Sequence, residues 1–281
     1  MKLYMHPAST TCRPVRLFAA DNKIALDEEL VDLMTGAQMQ PAYAAVNPNC
    51  LVPLLEDGDL KLSESSAILK YLADKTGSPA YPKNLKARAK VNEMMDWLNT
   101  NFYRDWGYNL CYPQLFPDMK RRSDEAQAAT LEHGKQNTKR WLKVLNDHWI
   151  GPKNTYLCGN QLTIADYFGS GLVTLGEVIG VDFSPYPNVQ RWLAAMKKLP
   201  NWDKVNEAFN GLREYLYEID PQFDEERILL DGLHSNRPGT MFDGMEQLEL
   251  TKAKKEAGRR TLHSSFFDGG FRSPRQGEFG G

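Results

Sequence analysis

The chain has 281 residues, a formal net charge of −2, and hydrophobic residues at 42% of its positions. A chain of this length can form two domains with substantial cores. The small net charge provides no basic field for nucleic acid or an anionic membrane, and no apolar run approaches the length of about 20 residues that a membrane span needs. We therefore predict a protein that binds neither nucleic acid nor membrane.

The four cysteines and five histidines show no metal-binding pattern. No two cysteines form a C-x-x-C pair, and no histidines occur in the H-E-x-x-H spacing, which are patterns that zinc sites use. The first ten residues also lack the apolar stretch of a secretion signal. These features predict a cytoplasmic protein with reduced thiols and no metal.

The first 76 residues alternate predicted strands and helices in the order βαβ followed by ββα. This order is that of a thioredoxin-like domain of the α/β class. The predicted elements are strands at Lys2–Met5 and Leu26–Leu33, helices at Cys12–Asn22, Ala37–Ala45 and Ser65–Lys75, and a hairpin around Asp57-Gly58.

After a linker at residues 77–85, which is rich in Gly and Pro, residues 86–218 predict an all-α domain. Within it, Thr163 and Asp166 have the spacing of a capping box at a helix start. Residues 219–281 predict a partly disordered extension that contains two short candidate helices. The five helices predicted for the all-α domain are Lys86–Leu110, Asp124–Trp149, Thr163–Val178, Asn188–Lys198 and Trp202–Tyr217.

The stretch from Asn47 to Leu72 combines two features that suit a short peptide ligand. Val52-Pro53 begins a predicted strand, and an X-Pro bond held in the cis form leaves the N–H and C=O of the preceding residue facing outward. Glu64-Ser65 opens a helix, and the free N–H groups of a helix N-terminus bind carboxylates. The stretch therefore predicts a site for a tripeptide with a free carboxylate at one end.

Over about residues 1–215, these features together resemble the cytosolic glutathione transferases. The segment Ser9-Thr-Thr-Cys-Arg13 and the strings LVDLMTGAQ, VNP and LKARAKVNEMMDWL resemble the serine-type theta class. His6-Pro-Ala-Ser9 followed by Cys12-Arg13 is also similar to the bacterial dichloromethane dehalogenases of that class. The resemblance implies a thioredoxin-like domain joined to a helical domain, glutathione as cosubstrate, and a homodimer.

Ser9 is the catalytic candidate. The resemblance implies that its hydroxyl donates a hydrogen bond to the glutathione sulfur, which favours the thiolate. Lowering the thiol pKa by ~2 units from about 8.5 corresponds to ~2.7 kcal/mol. Spacing alone favours a simpler role, in which Ser9 caps the following helix. Tyr4 is the rival, although strand packing suits it better, and Arg13 either supports the site electrostatically or covers a domain seam.

Four residues are implied to bind the γ-glutamyl and cysteinyl parts of glutathione. Ser65 would bind the γ-glutamyl carboxylate, and Glu64 would pair with the ammonium group. Val52, held by Pro53, would pair its backbone with the cysteinyl residue. Each also has an ordinary explanation, since Ser and Glu are common in first helical turns and Pro often begins a strand.

The residues expected near the glycine carboxylate of glutathione, Gln38 and Cys50, carry no positive charge. Gln38 is implied to lie near the glycine carboxylate, where its amide can donate a hydrogen bond. Theta-class relatives often have basic residues near the positions of Gln38 and Cys50, and Cys50 supplies no charge here. An amide in place of a cation loses roughly half the strength of such a contact. Either glutathione binds weakly, or Lys61 or Arg13 compensates.

The electrophile is expected to bind against the first long helix of the second domain. Arg104 and Trp106 are the candidates there, although core or interface packing is the better explanation for any single aromatic residue. The predicted function is conjugation of glutathione to small electrophiles, with alkyl halides as the preferred guess. The alternative is a non-catalytic glutathione-binding or interaction protein on the same scaffold. The helix carries Trp97, Asn101, Tyr103, Arg104, Trp106 and Tyr108.

Overall fold

A computed structural model describes residues 1–219, apart from the side chains of Pro117 and of residues 215–219. The predicted C-terminal extension, including its two candidate helices, lies outside the described residues, except for position 219 at the end of the last helix.

The first part of the chain forms a mixed four-stranded sheet in the order β2-β1-β3-β4. Strands β1 and β2 are parallel, whereas β3 is antiparallel to both β1 and β4. The predicted βαβ–ββα order is thereby confirmed. The strands are β1 (Lys2–Met5), β2 (Asp27–Leu30), β3 (Leu54–Asp57) and β4 (Leu60–Leu62), and the helices are α1 (Cys12–Asp21), α2 (Pro41–Ala44) and α3 (Ser65–Thr76).

The second part is helical, as predicted, and within residues 86–219 the structure shows no strand longer than an isolated bridge. Two of its helices continue into π-helix, in which each N–H bonds to the carbonyl five residues earlier. The helices are α4 (Leu85–Trp97, continuing as π-helix over Leu98–Phe102 and Arg104–Cys111), α5 (Tyr112–Leu115), α6 (Asp124–Val144, continuing as π-helix over Leu145–Ile150), α7 (Ile164–Val173), α8 (Leu175–Val178), α9 (Pro187–Met196) and α10 (Trp202–Ile219).

Helix α7 is the centre of the helical core, because every one of its residues is buried. The predicted capping box begins it: the N–H of Thr163 donates to Asp166 at 2.8 Å. Asp166 also accepts hydrogen bonds from the Leu157 N–H at 2.7 Å and the Trp192 indole at 3.0 Å. Burial raises the pKa of this carboxyl to about 6, despite those bonds. The box thus fixes the start of the helix that packs against α1.

Arg13 joins the two parts of the molecule. It belongs to α1, is 2% exposed, and directs its guanidinium into the helical domain. There it donates to Asn206 Oδ1 at 2.7 Å and to the Gly171 carbonyl at 2.9 Å, and it lies 3.6 Å from the ring centre of Phe209. Burial lowers the pKa of Arg13 to about 10. Of the two roles considered for Arg13, these contacts support the one in which it covers the seam between the two domains.

Candidate active site

Ser9 lies in the loop between β1 and α1, where its hydroxyl is only partly buried. Its Oγ accepts a hydrogen bond from the Cys12 N–H at 3.3 Å and lies 3.3 Å from the Thr11 hydroxyl. Thr11 donates its single hydroxyl hydrogen to the Val52 carbonyl at 3.1 Å. Ser9 must therefore be the donor toward Thr11. Its hydrogen is held only by a long bond to a neutral group, which a thiolate can replace.

The other two reactive side chains near Ser9, Tyr4 and Cys12, are poorly suited to act on a thiol. Tyr4 is 8% exposed, and its hydroxyl donates to Glu56 Oε2 at 3.2 Å, which fits its strand-packing role. Cys12 is fully buried, and burial raises the pKa of its thiol to about 11. A thiol with that pKa is a poor nucleophile at neutral pH.

The Val52-Pro53 peptide bond is cis, which is the form that the sequence analysis considered for it. The preceding carbonyl, that of Leu51, accepts hydrogen bonds from Tyr43 and Asn47, each at 2.7 Å, so the approach to the loop is fixed. The Val52 carbonyl is partly engaged by Thr11, whereas the Val52 N–H donates to no described residue. This edge therefore offers a free donor and a carbonyl lone pair to an extended peptide.

Glu64 and Ser65 lie at the start of α3. Ser65 is buried at 6% exposure, and its hydroxyl has no hydrogen-bond partner among residues 1–219. Glu64 is exposed and has φ 65° and ψ 108°, a conformation that side-chain-bearing residues rarely adopt. Backbone strain of this kind collects at ligand sites, where it orients a group for binding.

The region expected to meet the glycine carboxylate contains one buried polar atom without a partner. The Oε1 of Gln38 is inaccessible and unbonded within the described chain. Cys50 has φ 53°, with its sulfur 3.8 Å from the Pro48 carbonyl. Of the two residues considered as substitutes, Arg13 is buried in the seam, and Lys61 lies 3.4 Å from Glu56. Lys61 is half exposed and thus the more available cation.

The two acceptor candidates lie in different surroundings. Arg104 is exposed and pairs with the buried Asp105 at 3.2 Å. Trp106 is fully buried; its indole donates to the Leu172 carbonyl at 2.9 Å, and its ring stacks on Phe102 at 5.2 Å. This position makes Trp106 a core residue, which was the alternative that the sequence left open.

Three tyrosine rings form a group near the loop that carries Ser9. The rings of Tyr103, Tyr108 and Tyr112 make mutual edge contacts at 5.3, 5.3 and 6.0 Å between centroids. Thr10 lowers the pKa of Tyr112, whereas burial and then the Glu64 carboxylate raise the pKa of Tyr108. Thr10 and Glu64 both belong to the thioredoxin-like domain. Sequence reasoning missed Tyr112, although its spacing of four residues from Tyr108 was a visible signal.

Among residues 1–219, no cluster of three His, Cys, Asp or Glu side chains is placed to hold a metal ion. No helix in that part of the chain is both long and apolar enough to cross a membrane.

A thioredoxin-like domain with a cis-proline edge, joined to a helical domain, defines the cytosolic glutathione transferase fold. Family models for the N-terminal and C-terminal domains of glutathione S-transferases match residues 3–80 and 112–200. Human glutathione S-transferase theta-1 is 33% identical over 215 residues, covering 74% of this chain and 87% of that protein. The chain therefore belongs to the glutathione S-transferase family of enzymes and has theta-class relatives, which confirms the resemblance.

Solved structures agree with this assignment. The apo form of human glutathione S-transferase T1-1 superimposes with a TM-score of 0.66 at 28% identity, covering 80% of this chain and 95% of that one. Human glutathione transferase theta-2, in complex with glutathione and an unknown ligand, gives a TM-score of 0.69 at 26% identity, covering 82% and 97%.

Proposed function

We propose that the protein conjugates glutathione to small electrophiles, alkyl halides among them, with Ser9 stabilising the thiolate. The observation that carries the proposal is the hydrogen-bond state of the Ser9 hydroxyl. It lies at the start of α1, and its hydrogen is held only by Thr11 at 3.3 Å. A thiolate arriving there gains a charge-assisted hydrogen bond in place of a neutral one.

The proposed tripeptide site runs from α3 to the turn that carries Gln38. The γ-glutamyl carboxylate takes the hydroxyl and N–H of Ser65, and its ammonium group pairs with Glu64. The cysteinyl residue pairs with the backbone of Val52, which Pro53 holds outward and whose N–H is free among the described residues. The glycine carboxylate lies toward Gln38, whose side-chain oxygen has no hydrogen-bond partner among the described residues and whose amide can turn to present its N–H groups.

The reaction is a displacement at carbon. The sulfur of the thiolate forms a bond to the electrophilic carbon while the carbon–halogen bond breaks, and the halide leaves with the electron pair. The proton lost by the thiol goes to solvent. The protein contributes proximity and thiol activation. If Ser9 and the helix N-terminus lower the thiol pKa by ~2 units, the thiolate fraction at pH 7 rises from about 3% to about 75%.

Three further parts of the proposal concern the setting. We propose that two copies form a homodimer, as the resemblance implies, and that the protein acts in the cytoplasm. Arg104, whose side chain is 58% exposed, remains a proposed contact for the acceptor. The second candidate function is glutathione or ligand binding without turnover, which the uncharged Cys50 position favours.

The test is turnover of a panel of haloalkanes and aryl halides by the wild type and by Ser9→Ala. We expect glutathione to bind both proteins with similar Kd in calorimetry, while Ser9→Ala loses about tenfold or more in kcat at pH 7 and recovers part of it at pH 9. Thr11→Val is the matched control, because it removes the neighbouring hydroxyl and leaves Ser9 in place. Binding without turnover by the wild type would favour the second function, and unchanged turnover by Ser9→Ala would remove Ser9 from the mechanism.

A further inference from the structure

The residues that lead into Ser9 form a tight turn between β1 and α1. The N–H of Ser9 donates to the carbonyl of His6 at 3.0 Å, which closes a β-turn with Pro7 and Ala8 at its centre. Proline suits the second position of such a turn, because its ring fixes the backbone angle that the turn requires. The Ser9 carbonyl accepts from the Arg13 N–H at 3.1 Å, so the backbone of Ser9 is held between this turn and α1.

The side chain of His6 closes the same turn a second time. Its Nδ1 accepts a hydrogen bond from the Ala8 N–H at 3.3 Å. His6 is 3% exposed and Ala8 9%, so this bond lies inside the protein. An imidazole nitrogen accepts a hydrogen bond only when it carries no hydrogen, so the neutral ring of His6 has its hydrogen on Nε2. The carbonyl and the ring of His6 thus hold two successive N–H groups, those of Ala8 and Ser9.

The groups around His6 favour the neutral ring. Burial has the largest effect and lowers the pKa of His6; the Asp32 carboxylate raises it by less, and the Arg16 guanidinium of α1 lowers it again. Arg16 is itself paired with Glu28 of β2 at 2.8 Å. The nearby Cys12 thiol, whose pKa burial raises to about 11, adds no charge. His6 is therefore neutral at pH 7, which is the state in which Nδ1 can accept.

We propose that His6 is a positioning residue for Ser9, whose hydroxyl it directs toward the glutathione sulfur by keeping the turn closed with its neutral Nδ1. A hydroxyl stabilises a thiolate only when its hydrogen points at the sulfur, because a hydrogen bond weakens steeply as its angle departs from linear. The turn sets this direction, since Ser9 is its last residue and is bonded to its first. This inference rests on the proposed role of Ser9 and adds a residue to it.

Protonation of His6 removes this support. A proton on Nδ1 points at the Ala8 N–H, so two donors face each other and the Ala8 N–H loses its partner. A buried donor without a partner destabilises the closed turn, which opens in response. Because the pKa of His6 is lowered in the folded protein, the stability from the neutral ring is fully present above the ordinary histidine pKa and is lost as the pH falls through the folded-state pKa.

The first test compares two replacements of similar size at His6. His6→Asn keeps an acceptor for the Ala8 N–H, because asparagine side chains bond the backbone two residues on, whereas His6→Leu has none. The measurement is the pKa of the thiol of bound glutathione, followed through the ultraviolet absorbance of the thiolate. We expect His6→Leu to shift the ratio of thiolate to thiol at least about fivefold toward the thiol, and His6→Asn to match the wild type. His148→Asn, at an exposed histidine of the helical domain, is the control and should leave the thiol pKa unchanged.

The second test is the acid side of the pH profile. We would measure kcat at saturating glutathione between about pH 5 and pH 8, where groups of the enzyme–glutathione complex determine its pH dependence. Both the thiol and His6 titrate in the wild type, whereas only the thiol titrates in His6→Asn. The wild-type kcat should therefore fall more steeply in acid than that of His6→Asn, and equal slopes would overturn the inference.

The remaining outcomes separate this inference from the proposed function. Equal shifts of the thiol pKa in His6→Asn and His6→Leu, or no shift in His6→Leu while Ser9→Ala shows one, would overturn the role of His6 alone. No shift in either His6→Leu or Ser9→Ala would remove Ser9 from the mechanism and His6 with it. The expected shifts without turnover of any electrophile would overturn conjugation and leave this inference standing, because the absorbance needs no electrophile. Should His6→Leu fail to fold, the acid slopes of the wild type and His6→Asn still decide the matter.

Discussion

The strained backbone at Glu64 allows stability and ligand binding to be separated at one position. A residue with a side chain held at φ 65° and ψ 108° costs about 1–3 kcal/mol. Glycine removes that cost but loses about 0.5–1 kcal/mol more conformational entropy on folding. Glu64→Gly should therefore stabilise the protein by about 0–2.5 kcal/mol.

The same substitution should weaken glutathione binding. If Glu64 pairs with the ammonium group, its loss removes a charge-assisted hydrogen bond of about 1.5 kcal/mol, or about tenfold in Kd. Glu64→Ala is the matched control, because alanine keeps the strain and lacks the carboxylate. It should bind glutathione as weakly as Glu64→Gly without the gain in stability. Lys23→Gly should stabilise the protein and leave glutathione binding unchanged, since Lys23 also has a positive φ, of 56°, but lies outside the proposed site.

The measurements are urea unfolding at one fixed protein concentration and titration calorimetry with glutathione. If Glu64→Gly is less stable than the wild type while Lys23→Gly is more stable, the strain argument is wrong at this site. If both Glu64 variants bind glutathione like the wild type, the ammonium role is wrong.

Two other predictions concern the helical core. Gly176→Ala places a Cβ 2.1 Å from the buried ring of Trp106 and should lower the free energy of unfolding in urea by about 1–3 kcal/mol. Gly211→Ala is the control, because the space around Gly211 is open, and it should be neutral or stabilising. Equal effects of the two substitutions would refute the packing argument. Asp105 is buried, which raises its pKa, but hydrogen bonds from Arg104, Trp141 and Asn109 outweigh burial and hold the pKa below its ordinary value. The carboxylate therefore stabilises the fold above about pH 4. Asp105→Asn should lower the free energy of unfolding by about 1–3 kcal/mol at pH 7, and this loss should shrink as the pH falls below 4. A loss that grows in acid would contradict the lowered pKa of Asp105.

The sequence predicted the elements of the fold whose signals are local. Thr163 and Asp166 show their capping box by residue type and spacing alone, and Pro53 and Ser65 mark the proposed peptide site in the same way. The family resemblance added the role of Ser9, which spacing alone would have given as a helix cap. In the structure the Ser9 Oγ accepts a hydrogen bond from the Cys12 N–H at the start of α1 and keeps its own hydrogen to donate, so one hydroxyl is compatible with both the structural role and the proposed catalytic role.

The features that the sequence did not predict depend on contacts between distant segments or on a change of helix type. The side chain of Arg13 reaches Asn206, 193 positions away, and no sequence pattern near Arg13 indicates this contact. Trp106 and Tyr112 are both aromatic residues in helical sequence. Because the π-helical turn changes which residues share a face, an α-helical periodicity does not separate the buried Trp106 from the partly exposed Tyr112.

The buried guanidinium of Arg13 bears on how the enzyme moves during turnover. It lies on α1, which directly follows the loop that carries Ser9, and it is bonded to groups at Gly171, Thr174 and Asn206. A hinge rotation between the domains would break these bonds together, and hydrogen bonds of a charged group contribute about 1.5–3 kcal/mol each. Domain closure of the kind that gates many enzymes is therefore costly here. We therefore expect chemistry or product release, rather than closure of the domains, to limit the rate of turnover.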